Sequence, residues 1–266
     1  MTDKKCVLRP ALWAVALGGA LVANAAFGVG GFRASGVAVA ADDQRFYTAG
    51  AASAGSAAGA KTWDFDHDRG YSIPQDWTVV AGEWRVLIDR NAPSEPNTLG
   101  LPGYGLPHTT KMKLWFDSFF NDNYLLAIPK DDTEYTNFSY EASIKPWGGA
   151  FGSYAGLVFR YTDPQNYYVL AAACPKDTLT LYRRSGGRLN VIKEVPAELE
   201  RGRWYNMKVD ASGGHLVAYL DGKQMLDAND GSIPKGRIGV WSQNDSRVSF
   251  DNIKVTPAES ASSPST

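Results

Sequence analysis

The sequence predicts an all-β body of antiparallel strands, without α/β character, running from about Lys61 to Pro257. Three observations carry this. Apolar and polar residues alternate with period two in several short runs, the pattern of a strand with one face on a core and one in solvent. Residues of hairpin-turn chemistry stand between those runs. No stretch of the body keeps a helical apolar period for three turns before Gly or Pro interrupts it. Short, regularly spaced strands with polar turns make a sandwich or a barrel.

Taken in chain order, the N-terminus reads as an export leader. Lys4, Lys5 and Arg9 form a basic start, and an uncharged stretch runs from Pro10 to Phe32. Two small-residue cleavage sites follow, Ala23-Asn24-Ala25 and Ala38-Val39-Ala40, of which the second stands just before Asp42 and Asp43 and is favoured. The expectation is a leader over residues 1–40 and a periplasmic or secreted protein. The alternative is an uncleaved anchor, since the uncharged stretch is long enough to span a bilayer. Residues 41–61 thin to Ala, Gly and Ser and read as a linker, and residues 257–266 read as a similar tail.

Between these flanks, Phe138 to Lys145 alternates cleanly. Leu157, Phe159 and Tyr161 alternate with Val158 and Arg160. Ser185-Gly186-Gly187 joins Leu179–Arg184 to Leu189–Val195. Ala197 to Arg201 has room for one short helical turn. Tyr205, Met207 and Val209 alternate with polar neighbours. Asp221-Gly222, which supplies the positive φ angles of a type I′ turn, joins Leu216–Leu220 to Lys223–Leu226. On Arg237–Gln243, Ile238 and Val240 should face the core, leaving Trp241 on the other face with Gly239. Val248 and Phe250 are out of phase with Ile253 and Val255, so a β-bulge is expected at Asp251-Asn252.

Composition narrows the function. A net charge of −1, with no basic cluster, excludes broad capture of nucleic acid or of an anionic membrane. Membrane contact is expected only if the N-terminal segment stays uncleaved. Eight Trp and thirteen Tyr suit neutral partners with flat apolar faces. Of the two cysteines, Cys6 falls in the leader, so Cys174 reads as a small apolar residue in a fold without a disulfide staple. His67, His108 and His215 lack metal-ligand spacing, and no phosphate loop or nucleophile elbow appears.

Several segments carry a resemblance. Gly156-Leu157-Val158-Phe159-Arg160-Tyr161-Thr162-Asp163, then Asn166-Tyr167-Tyr168-Val169-Leu170, are distinctive. So are Gly202-Arg203-Trp204-Tyr205, Leu220-Asp221-Gly222, Gly236 to Trp241 and Phe250-Asp251-Asn252-Ile253. In this order they resemble the concanavalin A-like jelly rolls, the laminin-G-like modules and the relatives of glycoside hydrolase family sixteen, over about Trp63 to Val255. The resemblance implies a two-sheet antiparallel jelly-roll sandwich. It also implies a question about catalysis, since family sixteen carries two glutamates flanking an aspartate on one strand face. The matching strand, Tyr167 to Ala172, contains no carboxylate. The 3-keto-disaccharide hydrolases have a related sandwich, and their glycine- and asparagine-rich strand motifs match less well.

The expected function is a lectin-like module binding carbohydrate or another extracytoplasmic ligand without chemistry. The rivals are a glycoside-processing hydrolase and a tethered protein-interaction domain. The candidate ligand contacts are Trp147 on a loop, Trp241 on an outer face, and Arg160, Tyr168 and Arg183 as rim or face contacts. The resemblance also implies a structural calcium ion near the last strand, with Asp251, Asp64, Asp66 and the Gly82 carbonyl as its oxygen donors.

Overall fold

Strands begin where the alternation begins. The computed structural model describes residues 59–102, 124–149 and 152–258; the expected leader, nearly all of the linker and the end of the tail lie outside them. The strands are β1 (Lys61–Trp63), β2 (Trp77–Ala81), β3 (Arg85–Ile88), β4 (Asn97–Leu101), β5 (Tyr124–Pro129), β6 (Phe138–Gly148), β7 (Tyr154–Asp163) and β8 (Asn166–Ala173). They continue with β9 (Thr178–Ser185), β10 (Arg188–Pro196), β11 (Tyr205–Ser212), β12 (His215–Leu220), β13 (Lys223–Asn229), β14 (Arg237–Gln243) and β15 (Arg247–Pro257). Among the described residues the helical content is a single 3-10 turn at Cys174–Lys176. The short turn expected at Ala197–Arg201 is irregular chain instead, held by the Glu200 amide donating to the Tyr205 hydroxyl at 2.6 Å.

Two antiparallel sheets result. The eight-stranded sheet runs β13-β12-β11-β6-β15-β4-β3, with β1 also paired to β15. The seven-stranded sheet runs β10-β9-β8-β7-β14-β5-β2. Both predicted two-residue turns form: Gly186 and Gly187 take φ of 53° and 81°, and Asp221 and Gly222 take 49° and 76°. Positive φ at both central positions matches the right-handed strand twist, which is why these turns set the register of β9–β10 and β12–β13.

The inner faces meet as one apolar core. Phe138, Tyr140, Ala142 and Ile144 of β6 face Leu157 and Phe159 of β7, Leu170 of β8 and Val240 of β14. Burial of each large apolar side chain of this kind stabilises the fold by about 1.5–3 kcal/mol. Cys174 is buried in the same core and is not a free thiol, which corrects its reading as an unpaired residue.

Bulges in β15 and β7 reset the phase of these long strands. The expected one falls in β15, where pairing with β6 shifts between Asp251 and Lys254 and Asn252 takes φ of 46°. It also divides the other edge of β15, which pairs with β4 through Val248–Phe250 and with β1 through Ile253–Val255. The second bulge, unforeseen, is at Arg160 of β7, with φ of 50°. It moves Tyr161 off the inner face, where alternation had placed it, to the outer face beside Tyr167.

Candidate functional site

The outer face of the eight-stranded sheet presents an accessible aromatic set. Lys145 and Trp147 stand two positions apart on β6 and so share a face, about 7 Å apart along the strand. Tyr205 of β11 pairs with Ile144, which sets the preceding residue, Trp204, across from Lys145. On the other side Ser249 of β15 pairs with Lys145. Lys145 is thus enclosed: its ammonium lies 3.8 Å from the Trp147 ring centre, 4.7 Å from that of Trp204, and in an ion pair with Asp89. Only 2% of the Lys145 side chain is exposed, and burial lowers its pKa while the Asp89 carboxylate opposes that shift.

Trp147 is 43% exposed, and its indole N–H donates to the Ser249 hydroxyl at 3.0 Å, which fixes the ring. With Leu87, Ile88, Asp89, Leu101, Pro102, Arg247 and Ser249 it lines a cavity of 220 Å³. That is below the ~300 Å³ of pockets that hold drug-sized ligands, and suits a single ring with hydroxyl groups. Of the five candidate ligand contacts, Trp147 is the one the structure leaves open in a pocket. Asp89, Lys145 and Trp204 were missed. Lys145 reads as an ordinary solvated position of an alternating strand, and the pairing that brings Trp204 to it is a long-range contact.

The other four candidates are engaged within the fold. Trp241 has the predicted orientation, away from the inner core, but it is only 1% exposed, packed with Leu126, Val158, Tyr167 and Val169 in a second apolar cluster. Its ring lies over Gly156, where an added Cβ would come within 2.8 Å of the indole. Period two fixes which face a side chain takes and not what covers it, so the expected stacking platform is buried. Arg160, also buried, donates to the backbone carbonyls of Ile233, Thr136 and Gly213 at 3.0, 2.9 and 2.6 Å. Tyr168 lies in the inner core, stacked on Phe159 at 5.3 Å, and donates to Asp230 Oδ1 at 2.7 Å. Arg183 pairs with the other oxygen of Asp230 at 2.5 Å and donates to Ser232. Burial pushes the Asp230 carboxyl up, yet hydrogen bonds from Ser232 and Tyr168 and the Arg183 charge hold it below its usual value. These groups tie the 230–236 connection to the seven-stranded sheet.

Three of the four expected calcium donors come together at the β15 bulge. Asp251 is fully buried, accepting from the Ser94 and Asn252 amides at 2.7 Å each. Burial first, and the Asp66 and Asp64 carboxylates beside it, push its pKa up to about 7 against those hydrogen bonds. Asp66 accepts from the Ser94 hydroxyl and the Asn97 amide, and Asp64 from the Asp66 amide. Gly82 follows β2 in the other sheet, where an added Cβ would come within 3.0 Å of Leu125 on the neighbouring β5. The charge of the three carboxylates suits a hard cation. Among the described residues, however, no three such side chains close into a ligating set.

Carboxylates are absent from β8, the strand that would carry them in family sixteen. Asp76 and Asp131 line a separate cleft of 340 Å³ with Lys61, Trp63 and Lys130, and Asp131 pairs with Lys61 at 2.9 Å. No helix among the described residues is long and apolar enough to cross a membrane.

Residues 127–256 match the model of the 3-keto-alpha-glucoside-1,2-lyase-like domain, the family that the strand motifs had placed second. A levanase of Bacillus subtilis (strain 168) is 27% identical over 121 residues, which are 44% of this chain and 17% of that protein. The carbohydrate binding module CBM66 from Bacillus subtilis superposes with a TM-score of 0.53 at 22% identity, over 68% of this chain and 96% of that one. The two antiparallel sheets, their order and this superposition show that residues 61–257 share the two-sheet jelly-roll sandwich fold of that module.

Proposed function

We propose that the sandwich is an exported, non-catalytic carbohydrate-binding module, and that the Trp147 pocket is where it holds sugar. The observation that carries this is the exposed indole fixed by Ser249 over the buried Lys145–Asp89 pair in a cavity the size of one ring. The apolar C–H face of a sugar packs on an indole, and the pocket's charged and hydroxyl groups can meet its hydroxyls. The names of the levanase and of the carbohydrate binding module support the ligand class. Export rests on the leader read at residues 1–40.

A glycan array probed with the wild type and with Trp147→Ala tests the reading. The wild type should retain one class of neutral glycan. The variant should lose about tenfold or more in affinity with an unchanged melting temperature. Failure of the wild type to bind any glycan, or undiminished binding by the variant, overturns the proposal.

A second reading, glycoside processing, is favoured by the lyase-like family match and by the Asp76–Asp131 cleft beside Trp63. Incubation with the same glycans separates the two. Release of a smaller sugar, abolished by Asp76→Asn or Asp131→Asn, would replace the binding module with an enzyme.

A further inference from the structure

We propose that Trp204 forms a second sugar subsite next to the Trp147 pocket, so that this face binds a neutral glycan as an extended chain of two or more residues. The inference rests on the carbohydrate reading of Trp147 and adds the length and charge of the ligand.

Two indoles flank one buried ammonium on the same sheet face. Trp147 lies further along β6, whereas Trp204 lies across from Lys145 at the start of β11, so the two rings form a diagonal strip over neighbouring strands. Their separation cannot exceed the sum of the two distances to Lys145, 3.8 and 4.7 Å, and this brings both within reach of adjoining units of one chain. Trp204 is only partly buried, yet its indole N–H makes no hydrogen bond. That N–H is closed to solvent, so what Trp204 offers a second sugar is the accessible part of its ring, on which an apolar C–H face can pack. The Trp147 N–H, by contrast, is already satisfied by Ser249.

Charge selects the ligand class. Lys145 lies against the Asp89 carboxylate, so the floor between the two rings carries no net charge. A uronate or sulfated chain would gain no unpaired cation there, and a neutral chain would meet none to desolvate.

Isothermal titration of the full chain with glucose, fructose and the cello-, laminari- and fructo-oligosaccharides up to the hexasaccharide tests the subsite. One series should bind, with affinity rising about tenfold from the monosaccharide to the disaccharide and longer members, the gain expected of one added aromatic contact. Trp204→Leu keeps apolar bulk over Lys145 and removes the flat ring and its N–H. It should flatten the length dependence while leaving monosaccharide affinity unchanged. Trp204→Phe keeps a smaller ring and should weaken the disaccharide and longer sugars alone, which preserves the test if the leucine variant does not fold.

Binding that is lost in Trp147→Ala but independent of length in the wild type overturns the second subsite and leaves the first standing. A Trp204→Leu protein that keeps the length dependence does the same. No binding of any series by the wild type removes the carbohydrate reading itself, and the subsite with it.

Discussion

Lys145 and Arg160 are both buried cations, and the fold neutralises them in different ways. Arg160 spreads its charge over three backbone carbonyls, whereas Lys145 relies on a single carboxylate, Asp89, and two aromatic faces. Removing one member of a buried pair leaves the other uncompensated, so Lys145→Ala should destabilise by about 3–5 kcal/mol in denaturant unfolding. Lys145→Met combined with Asp89→Leu should recover most of that loss, because no buried charge remains. A double variant as unstable as the single one would mean that the pair is needed for packing and not for charge balance. The pH dependence has a definite sign. Burial lowers the folded-state pKa of Lys145, so the folded state binds fewer protons than the unfolded chain between that value and 10.5. Wild type should therefore gain stability relative to Lys145→Met as pH rises through that window. At this scale the sequence was least legible. Alternation placed Lys145 on the polar face correctly, but the groups that surround it come from β3, β11 and β15, and no local pattern reports them.

The strands and turns were legible because their causes are local. Asp221-Gly222 and Gly186-Gly187 specify their turns through φ angles that other residues resist, and the β15 bulge announced itself as a phase slip between Phe250 and Ile253. The β7 bulge did not, because Tyr161 is apolar and either face accepts it; what decides is the need to turn Arg160 toward the carbonyls of Ile233, Thr136 and Gly213. At β15 the bulge gathers Asp251, Asp66 and Asp64, a concentration of negative charge that we propose is relieved by calcium. An ion that binds only the native state stabilises by mass action, so excess calcium should raise the melting temperature and a chelator should lower it. Asp163→Asn, in the β7–β8 turn, should keep this response. Asp251→Asn should lose it. Identical melting of the wild type in calcium and in chelator would show that the bulge is structural only.

Across the whole molecule, one architecture follows from many consistent local signals, and that agreement made the sandwich readable while its ligand was not. Each sheet has an outer face with aromatic residues. On the seven-stranded sheet they are buried around Trp241, and on the eight-stranded sheet Trp147 is open. Sequence period is the same in both cases. The arrangement also closes the chain on itself: β1 pairs with the end of β15, Lys61 with Val255 and Trp63 with Ile253. Trp63 then meets Trp77 edge-on at 5.8 Å, Phe65 is buried, and Lys61 reaches Asp131 and Thr133. A chain of residues 59–258 keeps all of these contacts and should unfold in one cooperative transition, since the linker and the tail lack the apolar content to join a core. A chain of residues 68–258 loses β1 and the buried Phe65 ring. Burial of one such ring is worth about 1.5–3 kcal/mol, and each kcal/mol shifts the midpoint of a domain this size by about 2–4 °C, so the shorter chain should melt at least about 3 °C lower. It should also lose any calcium response, because Asp64 and Asp66 go with the same segment. Equal midpoints for the two chains would show that β1 is an accessory strand and that the sandwich is closed by β3 and β4 alone.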